Sequence, residues 1–101
     1  MATYFVSRHK GAIAWLNQQR IAAQMVSHLD ATMIEAGDEV LGTLPVQEVA
    51  VIVARGARYF HLEMTVPEAE RGRELTVADM VRFGARLVEY RVVRVDNGKI
   101  Q

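Results

Sequence analysis

Ser7-Arg8-His9-Lys10 places a hydroxyl, two cations and an imidazole within four consecutive residues. Hydroxyl and imidazole donate hydrogen bonds, while guanidinium and ammonium neutralise negative charge. Together they form a group suited to an anion, phosphate foremost. The imidazole adds proton transfer near neutral pH. Taken alone, the run is equally compatible with ordinary solvated loop polarity. Its setting gives it weight. Thr3-Tyr4-Phe5-Val6, β-branched and aromatic, predicts a strand buried on both faces. Ala12-Ile13-Ala14-Trp15-Leu16 has helical spacing and good helix formers, so a helix is predicted from Ala12 to about Arg20. Strand, polar turn closed by Gly11, and helix make the first half of a βαβ unit. Such a turn lies at the carboxyl end of its strand, where ligands bind in open α/β sheets. The helix start behind it offers free N–H groups and a positive dipole end. Neither GxGxxG nor GxxxxGK[ST] occurs, so no dinucleotide fingerprint or Walker loop is present.

The chain has 101 residues, enough for one domain spanning 1–101, and half of them are hydrophobic. Twelve basic and twelve acidic residues cancel, which argues against bulk DNA or RNA binding. The same neutrality weakly favours self-association. Cysteine is absent, which removes disulfides, thiolate metal sites and a cysteine nucleophile. No apolar run approaches the roughly 20 residues needed to cross a bilayer, so a soluble cytoplasmic protein without a membrane partner is expected.

Along the remaining chain, Gln24 to Leu29 alternates as a second, short strand, and Ala31 to Asp38 reads as a turn or loop. Glu39 to Leu44 predicts a third strand. Pro45 then opens a helix with Val46, Val49, Ala50, Ile52 and Val53 as its apolar face, closed by Arg55-Gly56. Ala57 to Met64 is a fourth strand, and the charged run 67–74 a solvated loop or a lid. Thr76 and Asp79 form a capping box for a helix that Gly84 ends. Ala85 to Val95, with interleaved arginines, predicts a fifth strand at an edge, followed by a frayed tail over 96–101. The connection Gly-Ala-Arg into a strand occurs twice, at Gly56 and Gly84. Alternating elements of this kind give an α/β fold: one mainly parallel, five-stranded sheet with helices on its faces.

On that frame His9, His28, His61 and the Gly42-Thr43-Leu44-Pro45 turn gather toward one rim, the rim where α/β sites form. Each histidine alone is more often structural than functional. Their spacing matches no metal motif, and no metal or cofactor is expected, although Asp30 and Glu63 are carboxylates within reach of a metal-binding alternative. Ser7 with His9 or His61 imitates a nucleophile and base, but lacks a GxSxG elbow and a placed acid. Trp15 and Tyr59 read as core or interface. Hydroxyl, guanidinium, ammonium and imidazole without a metal suit cleavage of an RNA phosphodiester by its own 2′-hydroxyl. That reaction needs in-line positioning, charge stabilisation and proton transfer.

Thr3 to His9 with Gly11-Ala12-Ile13, His28-Leu29-Asp30, Gly42-Thr43-Leu44-Pro45, Ala54 to Tyr59 and His61-Leu62 resemble a family of small CRISPR-associated proteins. These belong to the loosely named Csx group of type III systems, and the likeness runs over about residues 3–94. The resemblance implies a Rossmann-like fold related to the CARF domains that sense cyclic oligoadenylate. It implies antiviral ring nucleases that linearise the messenger, chiefly cyclic tetra-adenylate, and a homodimer with the messenger lying across it. Lys10 departs from the proline expected after the histidine, which adds charge to the turn.

Placed on this chain, Arg8 and Lys10 hold phosphate, Ser7 and Thr43 orient it, and His9 or His61 assists proton transfer. Ser7, His9 and His61 are thus the catalytic candidates. Arg8, Lys10, Gly11, His28, Gly42 and Thr43 are the ligand-binding candidates. Two alternatives stand beside the enzyme: a non-catalytic messenger-binding module, and a structural subunit docking on the CRISPR effector through its arginine-rich last strand.

Overall fold

The structure, a computed structural model, describes residues 1–96 and 98–100. In chain order it contains β1 (Thr3–Val6), α1 (Lys10–Gln18), β2 (Gln24–Val26), β3 (Glu39–Gly42) and α2 (Val46–Ala54). Then follow β4 (Arg58–Glu63), α3 (Val77–Arg82) and β5 (Arg86–Tyr90), with 3₁₀ turns at Ala31–Met33 and Glu68–Glu70. The sheet order is β2-β1-β3-β4-β5. The first four strands run parallel and β5 runs antiparallel to β4. The protein is therefore α/β, with a five-stranded, mostly parallel sheet and three helices.

The short α3 does not carry the chain back to the amino-terminal edge of the sheet. The nine residues of α1 rise about 13 Å, enough to carry the chain back along a four-residue strand. The six residues of α3 rise only about 9 Å, against about 20 Å for β4. The chain therefore re-enters the sheet at the end where β4 finishes, with Arg86 beside Glu63, and runs back along the edge.

Side-chain alternation divides the interior in two. Phe5, Leu41 and Leu62 face α1 and α3, packing with Ala12, Trp15, Leu16 and Met80. Val40 and Tyr59 face the other way, packing with Val49 and Ile52 of α2, Ile34 and Ala57. Val46 begins α2 but is exposed, so the apolar face of that helix is narrower than its sequence predicts. At the amino-terminal edge of the sheet, buried Asp38 accepts the N–H groups of Ala2 and Glu35, both at 2.9 Å. Those two bonds hold its carboxyl below the usual carboxylate range.

Several boundaries differ from expectation. β2 stops at Val26 and β3 at Gly42, and β5 spans only Arg86–Tyr90. α1 begins at Lys10, with His9 as its N-cap, so Gly11 lies inside the helix. A Cβ there would sit 2.0 Å from the Leu75 carbonyl oxygen, and only glycine lets α1 approach the segment before α3. The Thr76–Asp79 capping box is formed in both directions. The expected frayed tail includes Asn97 and Gln101, which lie outside the described residues. Among the described residues, no helix is long and apolar enough to cross a membrane.

Candidate functional site

The strand order reverses between β1 and β3: the chain leaves β1 toward β2, and β3 toward β4. A crevice opens at the carboxyl ends of such a pair. In register, Val6 sits beside both Val26 and Gly42, and Gly42 beside His61, so the next residues, Ser7 and Thr43, leave the sheet together. Ser7, His9, Gly42 and Thr43 line a cavity of about 640 Å³. Phe5, Leu62, Met64, Leu75 and Met80 give it an apolar lining. A second depression of about 350 Å³ shares Ser7, His9 and Thr43 and adds Arg8, Ser27 and His28. The structure thus gathers Ser7, Arg8, His9, His28, Gly42 and Thr43 at one edge. Lys10 is exposed at the first position of α1 beside them. Gly11, a candidate for ligand contact, is accounted for by its packing on Leu75.

Local geometry leaves this edge open to an anion. The Ser7 hydroxyl accepts the His9 N–H at 3.1 Å, which shapes the turn and leaves its own proton to donate. α1 has no acidic residue in its first turn and no side-chain cap, so its N–H groups and dipole act unopposed. Among the described residues, neither Arg8 nor Lys10 takes part in an ion pair. Gly42 sits at φ 151°, and a Cβ there would lie 2.7 Å from the Val6 carbonyl oxygen, so its absence lets β1 and β3 close up at the rim.

His61 stands apart. With Tyr59 it points to the α2 side of the sheet, where it lines a depression of about 290 Å³ with Leu44, Val46 and Tyr90. It does not share the cavity of Ser7 and His9. It is tied to the rim through Tyr59, a residue that the sequence marks only as apolar bulk. The buried Tyr59 hydroxyl lies 3.0 Å from the Gly42 carbonyl oxygen, 2.8 Å from the Leu44 N–H and 2.7 Å from Nδ1 of His61. Burial raises its pKa, keeping it protonated at neutral pH. The i, i+2 spacing of Tyr59 and His61 on one strand was the signal for their contact.

Met64, Arg73, Glu74 and Leu75 also wall the main cavity. Arg73 and Glu74 belong to the charged run 67–74, for which the sequence leaves a lid role open beside that of a solvated loop, and Met64 and Leu75 flank it. Arg73 braces the wall by bonding Glu70 at 2.6 Å and Asp79 at 2.8 Å, which holds the Asp79 carboxyl far below the usual carboxylate range. Among the described residues, no three His, Asp or Glu side chains come together as a metal-ligand set.

The fold and this edge define an α/β protein with an anion-suited crevice at the switch point of its sheet. Residues 4–93 match the family model described as "Putative CRISPR-associated protein (Cas_VVA1548)". The match covers most of the chain, and the chain belongs to this family of CRISPR-associated proteins. No curated protein and no solved structure matches it.

Proposed function

We propose that this CRISPR-associated protein is a metal-independent ring nuclease of a type III system, acting on cyclic oligoadenylate and chiefly on cyclic tetra-adenylate. One observation carries the reading: Ser7, His9 and Thr43 line both the apolar cavity and the neighbouring depression that holds Arg8. An apolar cavity of that size takes a nucleobase, and the cations beside it take the phosphates of the same ligand. The α/β sheet with its switch-point crevice is in keeping with a Rossmann-like, CARF-related domain occupying the whole chain.

In the reaction, a ribose 2′-oxygen attacks the adjacent phosphorus while its proton passes to an imidazole, His9 or His61. The bond from phosphorus to the 5′-oxygen breaks, and that oxygen takes up a proton. The product is a linear oligoadenylate with a 2′,3′-cyclic phosphate and a 5′-hydroxyl. Arg8 and Lys10 offset the charge gathering on the phosphoryl oxygens, and Ser7 and Thr43 hold them in line. The protein works as a homodimer. A second copy covers the apolar groove along α2, lined by exposed Val46, Val51 and Val93 together with Glu48 and Arg94.

Incubation of purified protein with cyclic tetra-adenylate in EDTA, followed by chromatography, tests the activity: linear product is expected. The placement of His61 outside the cavity favours a second reading, a messenger-binding module without turnover. Tight binding with an intact ring would establish that module in place of the enzyme. Absence of binding would leave the effector-docking subunit.

A further inference from the structure

We propose that Tyr59 is a positioning residue: its hydroxyl holds His61 in the Nδ1–H tautomer, leaves Nε2 as the proton acceptor, and ties that imidazole to the Gly42–Leu44 turn. The inference follows from counting protons around one oxygen. A phenol carries one proton and two lone pairs. The Gly42 carbonyl only accepts, so the hydroxyl proton belongs on that 3.0 Å contact. The Leu44 N–H only donates, and it occupies one lone pair at 2.8 Å. The remaining partner, Nδ1 of His61 at 2.7 Å, meets the second lone pair and must supply the proton itself. Any other assignment leaves one of these short contacts without a hydrogen, at a largely buried site where that is costly. Tyr59 is 2% exposed, so water does not readily replace a lost partner.

The ring around this contact is held from other sides as well. Tyr59 and Tyr90 flank the imidazole, the latter edge-on at 6.0 Å between centroids. The ionisable groups facing it are Tyr59 and Glu63 on its own strand and Tyr90 on β5. Glu63 is bonded to the Tyr90 hydroxyl and paired with Arg86 at 3.3 Å. Among the described residues the ring's hydrogen bond is made through Nδ1, which leaves Nε2 without a partner. Among the described residues His9 has no such fixing contact on its ring. Of His9 and His61, the two imidazoles placed in the reaction, His61 is the one whose tautomer the fold decides, and it is tied through Tyr59 to the turn that carries Thr43.

The decisive measurement is two-bond ¹H–¹⁵N correlation on histidine-labelled protein, read on the neutral form of the imidazole. The expected result is a protonated Nδ1 and an unprotonated Nε2, the reverse of the form that free histidine side chains favour. Tyr59→Phe should return His61 toward the Nε2–H form. An Nε2–H tautomer in the unaltered protein overturns the proposal, as does an Nδ1–H tautomer that survives in Tyr59→Phe. The kinetic arm rests on the ring-nuclease reading. There, Tyr59→Phe should lower turnover about 10- to 100-fold while leaving the messenger Kd nearly unchanged. His61→Asn, which keeps a donor near the Nδ1 position and removes the acceptor, should lower it at least as much. Full turnover in His61→Asn removes His61 from the reaction. If no turnover occurs in any form, the ring-nuclease reading fails and the tautomer result stands on its own.

Discussion

At the carboxyl end of β1, Arg8 and Lys10 take part in no ion pair among the described residues, although Glu48 lines the same depression as Arg8. On β4, α3, β5 and the loop before α3, Arg58, Arg82, Arg86 and Arg73 each meet one or two carboxylates. Arg58 grips Glu89 with two nitrogens at 2.8 and 2.9 Å and also lies over the Phe60 ring. A formal net charge of zero conceals this division. Five of the twelve acids, Glu39, Glu63, Glu70, Asp79 and Glu89, pair with these four arginines, while Arg8 and Lys10 take part in no ion pair among the described residues. Pairing marks a charge that holds the fold. An unpaired cation beside an uncapped helix start and a lined cavity marks a charge available to a ligand.

The largest effect expected from this division is on ligand affinity. Replacing both Arg8 and Lys10 by alanine removes two charge-assisted contacts of about 1.5–3 kcal/mol each, so titration calorimetry should show cyclic tetra-adenylate binding weakened at least about 100-fold. The melting temperature should stay where it is, because among the described residues neither side chain has an ion-pair partner to lose. A double variant that binds like the unaltered protein breaks the comparison.

Gly11→Ala probes the wall between the two regions. With its Cβ driven onto the Leu75 carbonyl, the chain should lose about 1–3 kcal/mol of stability in denaturant titration. An unchanged midpoint would show that the 64–75 segment gives way freely. Acid probes the paired carboxylates. Asp30, Asp38, Asp79 and Glu89 all have carboxyls held below their ordinary values by hydrogen bonds and arginines. For such groups the folded pKa lies below the unfolded one, so the stability they contribute is present above about pH 4 and lost as pH falls through the folded values. Denaturant midpoints measured from neutrality downward should hold until about pH 4 and then decline; a flat profile to pH 2 contradicts the assignment. The smallest effect belongs to Arg58→Ala. Its ion pair is exposed, so calorimetry should show only a slight fall in melting temperature and no change in messenger affinity.

Much of the frame is legible before any coordinate. Pro45 and Gly56 bracket α2, the Thr76–Asp79 box starts α3, and alternation finds the strands because these signals act within a few residues. The direction of β5 is not legible, since it depends on where the whole connection from Met64 to Ala85 returns the chain to the sheet. Gly11 reads as part of the turn, because its true reason, the Leu75 carbonyl, lies 64 positions further along. The edge gathering Ser7, Arg8, His9, His28 and Thr43 is predicted from parallel topology alone. The opposite-face placement of His61 and the hydroxyl contact through Tyr59 depend on strand pairing and side-chain reach, which the bare alternation pattern only hints at.

The central claim, that ligand is taken up by the unpaired turn between β1 and α1 and not by the arginine-lined edge, is most directly tested by mapping backbone amide shifts as cyclic tetra-adenylate is added in EDTA. The account predicts shifts concentrated at residues 7–12, 27–29 and 42–45. Shifts centred on Arg58, Arg86 and Glu89, or none at saturating messenger, would contradict it.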